Sequence, residues 1–198
     1  MTKAAFIDKD GTLVVDVPFN VDPERIALAP DAAEGLRALA AAGFRLFVVS
    51  NQSGVARGRF GEDALPAVER HLREVLTAEG IAIEGFYWCP HHPDGVRPRY
   101  AMPCTCRKPE PGMLLRAAAE HDLDLSRSWA IGDILDDVEA GRRAGCHTVL
   151  VDNGGETEWL MAPWRVPDHV ASDLADAAQW IVDDTAGEPR CRKGDAYG

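Results

Sequence analysis

The sequence predicts an α/β fold: a Rossmann-like parallel sheet with helices on both faces, no large cap domain, and a metal-bound loop inserted near its middle. Three observations carry this reading. Short apolar runs alternate with helical patterns, as in a parallel sheet built from crossover units. Polar clusters at 8–12, 50–54, 107–109 and 132–137 would meet on one sheet edge, where open α/β sheets bind ligands. A stretch over 89–110, rich in Cys, His, Pro and Arg, is too long to sit unordered in a compact domain.

The elements follow in order. Ala4-Ala5-Phe6-Ile7 reads as a buried strand that Gly11 ends with a turn. Residues 10–30 are irregular, with Pro18, Pro23 and Pro30. Asp31 is positioned to cap a helix through Ala42, with Leu36 and Leu39 inward and Gly43 at its stop. Phe44 to Val49 reads as the second strand, followed by a Gly-rich loop from Asn51 to Gly61. Residues 63–79 form an amphipathic helix, and Ile81 to Trp88 is the third strand. After the Cys/His loop come a helix from Gly112 to His121, a strand from Trp129 to Ile131, a helix from Asp136 to Ala144 and a strand from Thr148 to Val151. A last helix spans Ser172 to Asp183, with Ser172 as its cap. Residues 1–185 are expected to form one domain, and the polar stretch 186–198 a disordered tail.

The whole chain narrows the function. It has 198 residues, 46% of them hydrophobic, so it can build an ordinary globular core. Its formal net charge of −11 argues against nucleic-acid partners, which require Lys and Arg to neutralise phosphates. It does not argue against a small phosphorylated substrate, since a metal and a few local cations can supply the positive field. Met1-Thr2-Lys3 leads straight into the first strand with no apolar signal segment, and no stretch is long enough for a membrane span. The expectation is a cytoplasmic protein, monomeric because no amphipathic stripe is left after the core is built. Its five cysteines are then thiols or metal ligands rather than disulfides.

Four clusters carry phosphate chemistry. Asp8 and Asp10, in Asp8-Lys9-Asp10-Gly11-Thr12, can supply a nucleophilic carboxylate and a proton carrier, and can hold a hard cation. Ser50-Asn51-Gln52-Ser53-Gly54 offers a hydroxyl and backbone N–H groups to phosphate oxygens. Arg107-Lys108-Pro109 brings two cations suited to a transferring phosphoryl group. Gly132 lets the backbone turn so that Asp133 joins Asp8 and Asp10, and a Mg2+ ion needs only two or three protein ligands because it keeps several waters. Asp136 and Asp137 have the ordinary role of acids at a helix start.

A fifth cluster concerns zinc. Cys89-Pro90-His91-His92 and Cys104-Thr105-Cys106 supply four soft or borderline ligands, Cys89, His91, Cys104 and Cys106, for a closed tetrahedral Zn2+. A redox role for Cys104 and Cys106 is the alternative. His92 competes with His91, or faces substrate or solvent. Cys146 fits a buried small hydrophobe, and Cys191 falls in the tail.

Taken together, DKDGTL, SNQSGVARGRF, CPHHPDG, CTCRKPEPGMLL and GDILDD resemble the haloacid dehalogenase-like phosphohydrolases. The CPHH…CxCRKP loop is similar to that of one branch, the D-glycero-D-manno-heptose 1,7-bisphosphate 7-phosphatases, with histidinol-phosphatases as near relatives. The resemblance implies that Asp8 is the nucleophile and Asp10 the general acid and then base. It implies Mg2+ on Asp8, the Asp10 carbonyl and Asp133. Ser50 and Lys108 would stabilise the phosphoryl group. Asn51, Gln52, Ser53 and Arg107 would bind a small phosphorylated sugar. The chain departs from that pattern at Ile134, where the heptose enzymes carry Lys, and at Asp16-Val17-Pro18-Phe19. The alternatives are a phosphatase for histidinol phosphate or another small phosphomonoester, and a zinc-stabilised binding module without catalysis.

Overall fold

The computed structural model describes residues 1–187. Six strands form one parallel sheet in the order β3-β2-β1-β4-β5-β6. They are β1 (Ala4–Ile7), β2 (Arg45–Asn51), β3 (Gly85–Cys89), β4 (Trp129–Gly132), β5 (His147–Val151) and β6 (His169–Ala171). The helices are α1 (Ala32–Ala41), α2 (Leu65–Ala78), α3 (Gly112–His121), α4 (Leu135–Ala144) and α5 (Leu174–Ala186).

Side-chain alternation along the strands assigns the two faces. Ala5, Ile7, Leu46 and Val48 pack with Leu36 of α1, Leu72 of α2 and Ile181 of α5. Ala4, Phe6, Phe47 and Val49 pack with Leu114 of α3 and Ala140 of α4. The expected layers are therefore present. β1 is central, and the strand order reverses between β1 and β4. Ile7 pairs with Ile131 in register, so Asp8 and Asp133 leave the sheet side by side at its carboxyl edge.

Several boundaries differ from the sequence reading. Ile81 and Ile83 are buried but lie outside the third strand, because the Ile81 N–H closes α2 on Leu76 O at 2.8 Å. β2 runs on to Asn51 by pairing Ser50 with Trp88 and Asn51 with Cys89. Asp31 stands at the N-cap of α1, but at φ 61° its side chain makes no capping bond. The cap of α5 is Asp173, not Ser172: its carboxylate accepts the Asp176 N–H at 2.8 Å. The three-residue β6 has no sequence pattern long enough to read. Helix α5 reaches Ala186 with Gly187 as its cap, slightly past the expected tail boundary. The remainder of that tail, with Cys191, lies outside the described residues.

Candidate active site

The loops after β1, β2 and β4 and the Cys/His loop converge on a cavity of about 210 Å³. Asp8, Asp10, Ser50, Lys108 and Asp133 all line it, as do Asn51 and Ile134. Asp8 is anchored through its main-chain N–H, which donates to Ile131 O at 2.9 Å. Lys108 arrives from the other direction. Its Nζ lies 2.5 Å from Asp8 Oδ1 and 2.5 Å from Asp137 Oδ1, and donates to Val49 O at 3.2 Å. Burial and carboxylate neighbours act oppositely on this lysine: burial lowers its pKa, while Asp137 and Asp8 raise it and prevail.

The acids feel the opposite pressure. Burial holds the Asp8 carboxyl well above the usual carboxylate range; Lys108 pulls it down, and Asp137, Asp133 and Asp10 push it up. Burial, then Asp137, raises Asp133 to about 7. Carboxyl oxygens of Asp8, Asp133 and Asp137 lie within 4.8 Å of one another. One lysine does not offset three crowded buried carboxylates, so the set fits a hard divalent cation.

Asp137 is the acid the sequence reading undervalued. Asp136 does behave as an ordinary helix-start acid, paired with Arg165 at 2.7 Å. Asp137 instead is buried, caps the Ile134 N–H at 3.3 Å and holds Lys108. Its spacing of four from Asp133 puts both near one side of the turn into α4, which was the available signal. Gly132 serves this approach: a Cβ there would come within 2.2 Å of Asp137 Cγ.

The loop after β2 is spoken for by other protein groups. Asn51 clamps the main chain of Lys108, donating from Nδ2 to its O and accepting its N–H at Oδ1, both at 3.0 Å. Gln52 Nε2 lies 3.0 Å from Asp10 Oδ2 and 2.9 Å from Ser50 Oγ. Asp10 Oδ1 is paired with the buried Lys9 ammonium. Ser53 is outside the cavity lining; its carbonyl accepts the Arg57 N–H at 2.9 Å. Arg107 is half-buried, and its Nη1 is buried without a hydrogen-bond partner among the described residues.

Behind Lys108 the four soft ligands do meet. Cys106 Sγ lies 3.2 Å from Cys89 Sγ, 3.2 Å from Cys104 Sγ and 3.4 Å from His91 Nδ1, and Cys89 Sγ lies 3.6 Å from Cys104 Sγ. Zn–S bonds of about 2.3 Å in a tetrahedron space sulfurs by roughly 3.8 Å, so the cluster is of the right size for zinc. The contact between the two sulfurs pulls the Cys106 thiol down to about 5 and pushes Cys89 up. His92 stays out of the cluster: Nδ1 accepts the Asp94 N–H at 3.1 Å. Cys146 is buried in the core, where burial pushes its thiol up to about 12.

This sheet order with this carboxylate–lysine site defines a haloacid dehalogenase-like hydrolase, and residues 105–177 match the family described as HAD-hydrolase-like. The D-glycero-D-manno-heptose-1,7-bisphosphate 7-phosphatase of Thermosynechococcus vestitus is 40% identical over 185 residues, covering 90% of this chain and 94% of that one. The chain belongs to this family of phosphoric monoester hydrolases. Among solved structures, a putative HAD-like phosphatase from Mesorhizobium loti matches with TM-score 0.80 and 37% identity, covering 96% of this chain and 90% of that one. The D,D-heptose 1,7-bisphosphate phosphatase from B. bronchiseptica, complexed with magnesium and phosphate, matches with TM-score 0.74 and 30% identity, covering 92% and 99%. Among the described residues, no helix is long and apolar enough to cross a membrane.

Proposed function

We propose that this chain removes the 7-phosphate of D-glycero-D-manno-heptose 1,7-bisphosphate through an aspartyl-phosphate on Asp8. The observation that carries the reading is the buried Asp8–Lys108 pair at 2.5 Å, opening on the cavity beside Asp10, Ser50 and Asp133. Asp8 attacks phosphorus, the P–O ester bond breaks, and Asp10 gives a proton to the leaving oxygen. Water then attacks the aspartyl-phosphate. Asp10 takes its proton, phosphate departs, and Asp8 is restored. Asp10 suits this exchange because its carboxylate is more open to solvent than that of Asp8. Lys108 and the Ser50 hydroxyl stabilise the charged phosphoryl group. Arg107, whose Nη1 is buried without a hydrogen-bond partner among the described residues, would meet the rest of the substrate.

The crowded carboxylates fit Mg2+, which Asp8, Asp133 and the Asp10 carbonyl would hold; bound there, it supplies positive charge against the phosphoryl oxygens. Cys89, His91, Cys104 and Cys106 would hold a structural Zn2+ that orders the loop carrying Arg107 and Lys108. A reducing cytoplasm keeps such thiols available as ligands. Residues 1–185 act as one domain in this reading, and the enzyme works as a monomer.

The test is Mg2+-dependent phosphate release from both anomers of heptose 1,7-bisphosphate, fructose 1,6-bisphosphate and histidinol phosphate. Strong preference for one heptose anomer is expected. Preference for histidinol phosphate or fructose 1,6-bisphosphate would overturn the substrate and leave the chemistry.

A further inference from the structure

We propose that Gln52 is a positioning residue for phosphoryl transfer, one that sets hydrogen-bond polarity at Asp10 and Ser50 together and does not bind substrate. The inference rests on the roles given above to those two residues and goes beyond them. Gln52 is 5% exposed, and its main-chain N–H is fixed on Cys89 O at 2.8 Å. Its side chain therefore has little freedom to swing into the cavity, and the cavity lining does not include it.

The identity of the facing atoms follows from chemistry. In the base form that takes the proton of water, the Asp10 carboxylate offers only lone pairs, so the Gln52 atom 3.0 Å from Asp10 Oδ2 is the amide nitrogen, donating. That nitrogen carries two hydrogens. One goes to Asp10, and the other goes to Ser50 Oγ at 2.9 Å. Ser50 thus accepts from Gln52, and its single hydroxyl proton is left to point elsewhere. Ser50 lines the cavity, so this proton is available to a phosphoryl oxygen. Without the amide, the Ser50 hydroxyl could turn its proton onto the Asp10 carboxylate side and present a lone pair to the phosphate instead.

Asp10 is braced by the same contact. Lys9 holds Oδ1 and Gln52 holds Oδ2, so the carboxylate plane is fixed at both oxygens. One buried amide therefore orients both the proton carrier and the hydroxyl donor. The neighbouring Asn51 does similar work for Lys108, gripping its main chain at both N–H and carbonyl. The end of β2 ties together three loops of the site.

The experiment compares the full-length zinc- and Mg2+-loaded enzyme with Gln52→Met and Gln52→Glu, on heptose 1,7-bisphosphate and on p-nitrophenyl phosphate. Methionine keeps the shape and removes both donors. It is expected to lower kcat by about 10- to 100-fold on both substrates, with KM within about threefold. Glutamate places an acceptor where two donors are needed, so Gln52→Glu is expected to lose more than Gln52→Met despite its closer shape. Zinc content and Tm establish that each variant is folded. Should the methionine variant fail to fold, Gln52→Asn keeps the amide but draws it back by one methylene, and a lowered kcat is expected there too. Wild-type kcat in a folded variant overturns the inference. So does a loss seen only as raised KM on the sugar phosphate, which would make Gln52 a substrate contact. Inactivity of the wild type on heptose bisphosphate, with p-nitrophenyl phosphate still hydrolysed, overturns the substrate reading alone.

Discussion

The Lys108 ammonium and the Asp8 carboxylate form a buried pair 2.5 Å apart, although they lie 100 residues apart in sequence. The lysine is shared with Asp137, so it serves two acids at once. Asp8 nevertheless remains above the usual carboxylate range, since burial outweighs the lysine. The ionised nucleophile is thus maintained at a cost to the fold. Its folded pKa is raised, so this cost is absent below the unfolded value and grows as pH rises toward the folded one. Asp8→Asn removes the nucleophile and that cost together. The expected result is no phosphate release and, near pH 7 without Mg2+, a Tm equal to or above wild type. Residual Asp8-independent turnover would contradict the mechanism, and a large fall in Tm would contradict the electrostatic account.

Much of the site is legible in the sequence because it is written as short motifs at strand ends. Asp8, Asp10, Ser50 and Asp133 follow apolar runs, and parallel topology delivers them to one edge. The meeting of Cys89, His91, Cys104 and Cys106 was legible by residue type alone. Asp137 was not, because its burial depends on the bare surface of Gly132 and on a lysine from a different loop. The resemblance implies substrate contacts at Asn51 and Gln52, and residue type alone does not say which protein groups their amides meet. Their partners, the Lys108 main chain and the Asp10–Ser50 pair, become visible only when β2 and the Cys/His loop are brought together. The short β6 and the one-residue shift of the α5 cap reflect local choices among adjacent Ser and Asp residues that pattern cannot rank.

Asp133 predicts a pH-dependent metal affinity. Burial and Asp137 raise its carboxyl to about 7 in the metal-free protein. Below that pH the carboxyl is protonated, and Mg2+ must displace the proton to bind. Above it the ligand is already ionised. Mg2+ affinity is therefore expected to be at least about tenfold weaker at pH 6 than at pH 8, as displacing the Asp133 proton alone requires. Calorimetric titration at the two pH values checks this, with more protons released per Mg2+ at the lower one. Equal affinities would mean that Asp133 does not titrate in this range.

The Cys/His cluster, proposed to hold zinc, predicts coupling between a distant ligand and catalysis. Cys106 is two residues from Lys108, and the Arg107 N–H donates to Cys104 Sγ at 3.3 Å. Loss of the metal should release the peptide that presents Lys108 to Asp8. Cys106→Ser is expected to lose zinc and to lower kcat by at least about tenfold, as when a folding-coupled metal site is broken. Metal analysis and phosphate release on the same sample read both. A zinc-free variant with wild-type kcat would separate the loop from the chemistry.

Gly155 offers a way to disturb Asp133 without touching a ligand or the core. It lies on the segment after β5 that lines the cavity, and Asn153 Nδ2 ties this segment to Gly11 O at 2.5 Å. A Cβ at Gly155 would come within 2.0 Å of Asp133 Oδ2, so the carboxylate must move. The contact is with the end of a side chain rather than with backbone, and Gly155 does not occupy the left-handed region. Alanine should therefore leave the backbone of the fold intact and displace the metal ligand. The expected result for Gly155→Ala is weaker Mg2+ binding by about tenfold or more, the range seen when the surroundings of a ligand are altered. Tm should stay within a few degrees, as for a substitution outside the core. Activity should then recover at high Mg2+, because the phosphoryl-transfer groups themselves are unchanged. A variant with wild-type Mg2+ affinity would show that Asp133 can move without loss to the site. A variant whose activity stays low at saturating Mg2+ would show that Gly155 shapes the substrate cavity instead.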